Sequence, residues 1–267
     1  MSQPNGIPPG SPTAVTPALR LRGLTRRFGA VVAVDRLDLD VPRGSFFGLV
    51  GPNGAGKTTT LSMATGLLRP DAGTAEVLGV DVWSDPVAAK SRIGVLPDGL
   101  RLFDRLTGRQ LVTYAGLLRG LDRHLVDERV AELLAALGLV DAQDKLVIDY
   151  SAGMTKKVTL ACALVHAPRL LVLDEPFEAV DPVSARTIRG ILEGFAASGG
   201  TVVLSSHVMD LVERICTDVA IMAAGTVRAA GPLEEVRAGV SLEDRFLELV
   251  GGVTAVEGLA WLRTSSD

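Results

Sequence analysis

A glycine-rich turn that directly follows a short apolar run constrains this chain more than any other feature. The turn reads Gly51-Pro-Asn-Gly-Ala-Gly-Lys-Thr58, and the apolar run Phe46–Val50 precedes it. Glycines permit backbone turns that other residues avoid, so successive N–H groups can face one anion, and a helix that begins at the turn adds its positive end. Apolar strand, glycine turn and helix in this order predict an α/β fold with a phosphate-binding loop.

The polar residues of this turn suit a nucleoside triphosphate. Lys57 would reach the β- and γ-phosphates, and Thr58 would offer its hydroxyl to Mg²⁺. No asparagine follows Asn53, so the chain lacks the NKxD motif that reads guanine, which favours ATP over GTP. The predicted nucleotide-binding residues of the turn are Gly51, Pro52, Asn53, Gly54, Ala55, Gly56, Lys57, Thr58 and Thr59.

Two carboxylates follow a second apolar run, Leu170–Leu173. Strands of an open α/β sheet present the residues at their carboxyl ends to the ligand crevice. We therefore expect Asp174 to hold the Mg²⁺ shell and Glu175 to act as general base on the attacking water. His207 follows another apolar run, and we expect it at the same edge, near the γ-phosphate. The alternatives are a solvated acidic turn and a surface or helix-capping histidine.

Composition limits the other classes of protein that fit. The net charge of −4 over 267 residues disfavours a strongly basic nucleic-acid binder, so we predict no nucleic-acid partner. The mean hydropathy of +0.31 is high, but no stretch reaches the ~20 apolar residues of a membrane span. Short apolar runs instead predict parallel strands buried on both faces. Cys162 and Cys216 have no metal-ligand spacing, and we expect two reduced, buried thiols.

The two ends of the chain differ from its middle. We expect residues 1–17, rich in Pro, Gly, Ser and Thr, to form a disordered tail. Alternating apolar residues then predict an edge strand from residue 19 with a hairpin partner at 37–41. At the other end, we expect residues 239–267 to form a C-terminal helix and a tail.

The middle of the chain changes character twice. Helical spacing over roughly 99–155 predicts an inserted helical region, after which strands and helices alternate again and imply a parallel sheet. One predicted helix covers 107–118. The apolar residues on one side of that helix are Leu111, Tyr114, Leu117 and Leu118.

Taken together, the motifs resemble those of the ATP-binding subunit of an ABC transporter, over roughly residues 19–231. Their order in the chain matches that family and is more specific than any single motif. The matching positions are Phe28 as the base-stacking aromatic of the A-loop, 51–58 as Walker A, Asp98 at the Q-loop, 150–154 as the signature, 170–175 as Walker B with Glu175 as catalytic glutamate, Asp181 in the D-loop, and His207 as the switch histidine.

The resemblance implies a fold and a mode of assembly. The fold would be a P-loop NTPase (RecA-like) core with a parallel sheet, a small N-terminal antiparallel β part and an inserted α-helical subdomain, the whole cassette covering 18–238. Two copies would sandwich two ATP molecules head to tail, with Ser151 and Gly153 of one copy approaching the γ-phosphate bound by the other. The homodimer would dock on an integral-membrane permease, as a peripheral protein on the cytoplasmic face of the cell membrane.

The C-terminal region refines this expectation. Residues 241–251 resemble the terminal helix of exporter ATPases that pair with ABC-2 type permeases, which favours export over import. A generic amphipathic terminal helix is the alternative. The stretch around Trp261 has no assigned role.

Several positions depart from the family pattern. Asp98 replaces the Q-loop glutamine; it can approach Mg²⁺ but cannot donate an amide hydrogen bond. The signature reads YSAGM rather than LSGGQ, so only Ser151 and Gly153 carry over, and in the D-loop only Asp181 does. Phe28 keeps a stacking face without a hydroxyl. These departures leave two alternatives open, namely a soluble ABC-type ATPase of DNA repair or translation and a regulatory cassette with low turnover.

Overall fold

The computed structural model describes residues 16–99 and 102–251. The strands are β1 (Leu19–Phe28), β2 (Val31–Val41), β3 (Phe46–Val50), β4 (Ala72–Val77), β5 (Val80–Asp81), β6 (Ile93–Leu96), β7 (Leu170–Leu173), β8 (Thr201–Ser206), β9 (Asp218–Ala223) and β10 (Thr226–Pro232). The helices are α1 (Lys57–Ala64), α2 (Pro86–Lys90), α3 (Gly108–Leu118), α4 (Arg123–Ala136), α5 (Ala152–Leu164), α6 (Pro182–Ala197), α7 (Met209–Ile215), α8 (Leu233–Arg237) and α9 (Leu242–Val250).

A six-stranded sheet in the order β10-β9-β3-β8-β7-β6 forms the centre of the fold. All neighbouring pairs are parallel except β9 and β10 at one edge, which are antiparallel. Successive residues of each central strand enter different hydrophobic clusters on the two faces, as Phe46 and Phe47 of β3 do. The predicted parallel sheet with both faces buried is therefore confirmed, with one antiparallel edge strand added.

A second sheet, in the order β2-β1-β4-β5, covers one face of the central sheet. Its strands pair antiparallel, and the β1–β2 register joins Leu19 to Val41, Leu21 to Leu39 and Leu24 to Leu37. The apolar residues of these three pairs are buried, as predicted. The predicted edge position of β1 is wrong, because β1 pairs with β4 as well as with β2. The hairpin ends at Phe28, which is thereby held beside the central sheet.

Helices α3, α4 and α5 pack together on the other face of the sheet, but α3 does not bury the apolar side predicted for it. Of that side only Leu111 is buried, whereas Tyr114, Leu117 and Leu118 are exposed. The reason is Gly116, which packs against α4: a Cβ at this position would lie 2.9 Å from a methyl carbon of Val126. Because α4 approaches α3 closely at Gly116, the side of α3 that carries this glycine is the buried one.

The strand register brings the carboxyl ends of four strands to one level. Leu96 of β6 pairs with Leu173 of β7, Leu173 pairs with Leu204 of β8, and Ser206 of β8 pairs with Val50 of β3. Residues that follow these positions along the chain must therefore meet at one edge of the sheet.

The two cysteines and the lengths of the helices bear on two predictions made from the sequence. Both thiols are free, and burial raises the pKa of Cys162 and of Cys216 to about 12, as expected for reduced interior cysteines. Over the described ranges, no helix is long and apolar enough to cross a membrane. Residues 1–15 and the stretch around Trp261 lie outside the described residues.

The packing of β6 against α5 gives a stability prediction. A Cβ at Gly94 would lie 2.2 Å from the carbonyl oxygen of Ala163, and backbone cannot move aside cheaply. We expect Gly94→Ala to lower the free energy of unfolding by about 1–3 kcal/mol, measured by urea denaturation. The matched control is Gly190→Ala at an exposed position of α6, where an added Cβ meets nothing within 4 Å; this variant should gain about 0.5–1 kcal/mol in free energy of unfolding. Equal effects at both sites would contradict the close contact.

Candidate functional site

The loop between β3 and α1 is shaped by two glycines that no other residue can replace without strain. A Cβ at Gly51 would lie 2.2 Å from the carbonyl oxygen of Met222 on β9. Gly56 has φ +100°, and its Cβ would lie 2.4 Å from the carbonyl oxygen of Ala33. The loop is thus pressed between neighbouring backbones, with the first N–H groups of α1 beyond it. This is the cradle that a phosphate group requires.

Lys57 begins α1 and is 6% exposed. Its Nζ donates to the carbonyl oxygens of Gly51 at 2.8 Å and Pro52 at 3.3 Å, and it lies 3.7 Å from Oε1 of Glu175. A buried ammonium held by loop carbonyls and one carboxylate is a positive charge fixed at the mouth of the loop.

An open cleft of about 470 Å³ lies in front of the loop. Phe28 stands at its rim, half exposed, with the guanidinium of Arg26 4.9 Å from the ring centroid on one face. The described residues lining the cleft are Phe28, Ala33, Asn53, Gly54, Ala55, Gly56, Lys57, Thr58, Thr59, Asp98, Glu175 and Glu178. Its dimensions and its aromatic rim suit a nucleotide.

Asp174 lies beneath this cleft rather than in its wall. It is buried, its N–H donates to the carbonyl oxygen of Leu96 at 2.8 Å, and Oδ1 accepts a short hydrogen bond from the hydroxyl of Ser205. The same hydroxyl accepts from the backbone N–H of Glu175 at 2.9 Å. Ser205 therefore fixes both acidic residues against β8.

The backbone N–H, the backbone carbonyl and the carboxylate of Glu175 each contact a polar or charged partner. Its backbone is in the left-handed region at φ +46°, and its carbonyl oxygen accepts from Nζ of Lys156 at 2.9 Å. Its carboxylate is 12% exposed, and Oε1 lies 3.1 Å from Nδ1 of His207 as well as near Lys57. A carboxylate fixed in this way, on the cleft wall beside the loop, is placed to accept a proton from a water.

The side-chain oxygen atoms near the loop are suitable ligands for Mg²⁺. Thr58 is exposed to the cleft, and the carboxylate of Asp98 lines it, 3.8 Å from Nζ of Lys156. Within the described ranges, no group of three or more acidic, His or Cys side chains could hold a metal alone. Mg²⁺ in such sites takes one or two protein ligands and completes its shell with phosphate and water, so the set present is sufficient.

Three of the predicted residues lie away from the cleft. Ser151 is exposed and caps α5, its hydroxyl accepting from the N–H of Met154. Gly153 packs on the loop before α6: a Cβ there would lie 2.7 Å from Oδ2 of Asp181. Asp181 caps α6, and its hydrogen bonds from the N–H groups of Ser184 and Val183 lower the pKa of its carboxyl. Within one copy these residues do not line the cleft.

The sequence reasoning missed four residues that the structure brings to the site, namely Ala33, Lys156, Glu178 and Ser205. Ser205 had a signal, since it lies two residues before His207 at the end of an apolar run. Lys156 had a weaker one, because it follows Ser151 by little more than a helical turn. Ala33 and Glu178 reach the cleft through tertiary packing alone.

The phosphate loop after β3, the buried lysine and the acidic pair after β7 at the same edge of the sheet define a nucleotide-hydrolysing protein of the P-loop class. The model of the ABC transporter family matches residues 34–178, more than half of the chain, and the chain belongs to that family. Its cassette is an ATP-binding domain, and the protein is an ATPase.

The relatives agree with this assignment. The chain is 38% identical to the daunorubicin/doxorubicin resistance ATP-binding protein DrrA of Streptomyces peucetius, over 85% of this chain and 69% of that protein. It is 37% identical to the Nod factor export ATP-binding protein I of Ralstonia nicotianae, over 86% of this chain and 71% of that one. Among solved structures, the ATP-binding subunit of an ABC transporter has a TM-score of 0.81 at 28% identity, covering 87% of this chain and 99% of its own.

The double role of Ser205 gives a prediction. In Ser205→Ala the carboxylate of Asp174 and the N–H of Glu175 both lose a buried partner, which costs about 1–3 kcal/mol of folding stability. We expect slower ATP turnover with little change in ATP affinity, because the phosphate loop is untouched. Steady-state kinetics and equilibrium binding of ATP measure the two effects.

The control variants for this prediction are Ser205→Thr and Ser206→Ala. Threonine keeps the hydroxyl, and the hydroxyl of Ser206 contacts the N–H of Val208 instead. Both should turn over ATP at close to the wild-type rate. Equal losses in Ser205→Ala and Ser206→Ala would show that the hydroxyl of Ser205 has no special part.

Proposed function

We propose that this chain binds ATP with Mg²⁺ and hydrolyses it as a homodimer, to drive export through a separate permease in the cell membrane. The observation that carries the proposal is the meeting of Lys57, Glu175 and His207 at the edge of the sheet where the phosphate loop begins. A cation and a base on the wall of one cleft, with a histidine in contact with the base, form a site for phosphoryl transfer to water.

Each residue has a proposed part in the reaction. The loop N–H groups and Lys57 bind and orient the triphosphate, and Phe28 stacks on the base. Glu175 accepts the proton of the water that attacks the γ-phosphorus, and His207 orients the carboxylate and contacts the γ-phosphate. Thr58, Asp98 and, from beneath, Asp174 would hold Mg²⁺. When bound, Mg²⁺ neutralises negative charge on the β- and γ-phosphate oxygens.

The position of Ser151 supports a head-to-tail homodimer. The chain has one phosphate loop and one signature, and the exposed start of α5 does not line its own cleft. A helix start with an exposed serine hydroxyl attracts anions. The anion that completes it would be the γ-phosphate held by a second copy, with Gly153 and Asp181 beside it.

A groove between α2 and α3 supports docking on a membrane protein. We call it the α2–α3 groove; its walls include Val87, Leu118 and Leu121, and Lys90 and Arg119 add positive charge. Leu118 is 68% and Val87 80% exposed, so the groove presents apolar side chains together at the surface. Among the described residues neither cation pairs with a carboxylate. The fitting partner is a short cytoplasmic segment of a permease with apolar and acidic side chains.

Export is the direction that the similar proteins favour. One relative is named for the export of Nod factor and another for resistance to daunorubicin and doxorubicin. Helix α9 follows the cassette and packs on α7 and α8, with the N–H of Leu242 donating to Glu213. Such an ATPase would work on the cytoplasmic face of the cell membrane.

A regulatory cassette with low turnover is the second candidate. It is favoured by Asp98, whose carboxylate lies near Lys156, and by the altered signature around Ser151. Turnover assays with and without a membrane partner separate the two. Tight ATP binding with no turnover in either condition would select this candidate.

The assignment of Glu175 as base is tested by Glu175→Gln. The variant keeps the shape of the side chain but cannot take a proton, so ATP turnover should fall by about 10²- to 10⁴-fold. ATP binding should persist, and ATP should convert the stalled protein to a dimer, measured by light scattering after size exclusion.

Two control variants accompany Glu175→Gln. Glu193→Gln on α6, whose carboxylate pairs with Arg189 on the same helix, should leave turnover unchanged. Adding Ser151→Arg to Glu175→Gln should block the dimer without blocking ATP binding. Normal turnover in Glu175→Gln would remove Glu175 from the mechanism, whatever the oligomeric state.

The α2–α3 groove is tested by co-purification with the permease, which is to be sought as a multi-span membrane protein encoded beside this gene. The double variant Lys90→Glu/Leu118→Glu should no longer co-purify with that protein in detergent, because charge is reversed and apolar area lost. Its ATP turnover in isolation should stay at the wild-type level. Ile148→Glu, also at an exposed apolar residue but outside the groove, is the control and should co-purify normally. Undiminished co-purification of the double variant would place the docking surface elsewhere.

A further inference from the structure

We propose that Lys156 is a positioning residue for the reaction, that it holds the backbone of Glu175, and that Asp98 holds Lys156 in turn. The inference rests on the hydrolysis proposed above and adds to it a contact between α5 and the base. Lys156 contacts the backbone of Glu175 and not its carboxylate, so it acts through Glu175.

The backbone of Glu175 needs external support. A non-glycine residue in the left-handed region is strained, and the strain persists only where surrounding contacts determine it. On one side Ser205 accepts from the N–H of Glu175. On the other side the carbonyl oxygen accepts from Nζ of Lys156 at 2.9 Å and, more weakly, from the N–H of Glu178 at 3.3 Å. The ammonium is the stronger donor because it is charged.

Asp98 restricts where that ammonium can be. Its Oδ1 lies 3.8 Å from Nζ of Lys156, whose side chain is only 19% exposed. A lysine side chain has many rotamers, and a carboxylate near the ammonium favours those in which the ammonium contacts both Asp98 and the carbonyl of Glu175. The loop after β6, helix α5 and the end of β7 are therefore joined through one side chain.

Through this contact, a movement of α5 would be transmitted to Glu175. Lys156 lies five residues after Ser151 on the same helix, and α5 is continuous between them. A shift of the start of α5, as when a second copy brings a phosphate to Ser151, moves Lys156 with it. The position of Glu175 then depends on that of α5, so the base is placed best when the helix start is engaged.

The kinetic test uses Lys156→Met and Lys156→Arg. Methionine keeps the apolar stem and loses the donor; arginine keeps the donor and the charge. We expect kcat to fall on the order of tenfold to a hundredfold in Lys156→Met, the rate equivalent of one charge-assisted hydrogen bond. KM for ATP should stay near wild type, and Lys156→Arg should recover most of kcat. Lys145→Met, at an exposed lysine, is the control.

Asp98→Asn tests the second half of the proposal. If Asp98 acts on Glu175 through Lys156, Asp98→Asn lowers kcat at saturating Mg²⁺ in the wild-type background and has no further effect on it in Lys156→Met. If the losses in kcat multiply at saturating Mg²⁺, Asp98 does not act through Lys156 and its part in the proposal is overturned. A higher Mg²⁺ concentration for half-maximal turnover in both backgrounds reports the metal contact proposed above and not this one.

A measurement that needs no ATP turnover tests the contact between Lys156 and Glu175 independently of the proposed hydrolysis. Hydrogen exchange of the peptide containing residues 174–178 should be faster in Lys156→Met than in wild type, and unchanged in Lys145→Met. Exchange and kcat at wild-type values in Lys156→Met would overturn the proposal. Faster exchange in Lys156→Met than in wild type, with a wild-type protein that never hydrolyses ATP, would leave the contact standing and refute the hydrolytic function. A fall in kcat matched by loss of ATP affinity, without recovery in Lys156→Arg, would show a merely structural role and also overturn it.

Discussion

Four strands of the central sheet end at one level because parallel pairing joins Leu96 to Leu173, Leu173 to Leu204 and Ser206 to Val50. Side chains alternate along a strand, so a slip of one residue would turn every one of them to the opposite face. Asp174 could then no longer meet Ser205. The register is in turn fixed by the apolar clusters on both faces, so the core positions the chemistry.

Polar groups at this edge are buried, and hydrogen bonds and ion pairs with neighbouring groups offset the cost of removing them from water. Lys57, Asp174 and Ser205 have little access to water, yet each has a partner in its neighbours. Removing one partner leaves a charge or a donor unpaired, which costs more than the bond itself contributes. The same contacts hold the site ready, because groups already oriented need not be ordered when the reaction begins.

The sequence predicted those features that arise from neighbouring residues. The glycine loop, the short apolar strands and the acidic pair at 174–175 carry their geometry within a few residues. Which side of α3 is buried could not be predicted, because Leu111 and Leu118 look alike until Gly116 is seen to admit α4. The contact of Lys156 with Glu175 joins residues 19 positions apart on different elements, and no local pattern encodes it.

Helix α5 links the exposed Ser151 at its start to Glu175 in the cleft, two residues that do not meet within one copy of the chain. Its start, at Ser151, is exposed and away from the cleft, while Lys156 reaches the carbonyl of Glu175 inside it. Thirteen helical residues rise about 20 Å, and a helix of this length moves as one body. In the dimer proposed above, a phosphate brought to its start would therefore alter the position of Glu175 without touching it. In the same proposal the charge of Asp98, which stands in place of the Q-loop glutamine, holds the lysine that links α5 to Glu175.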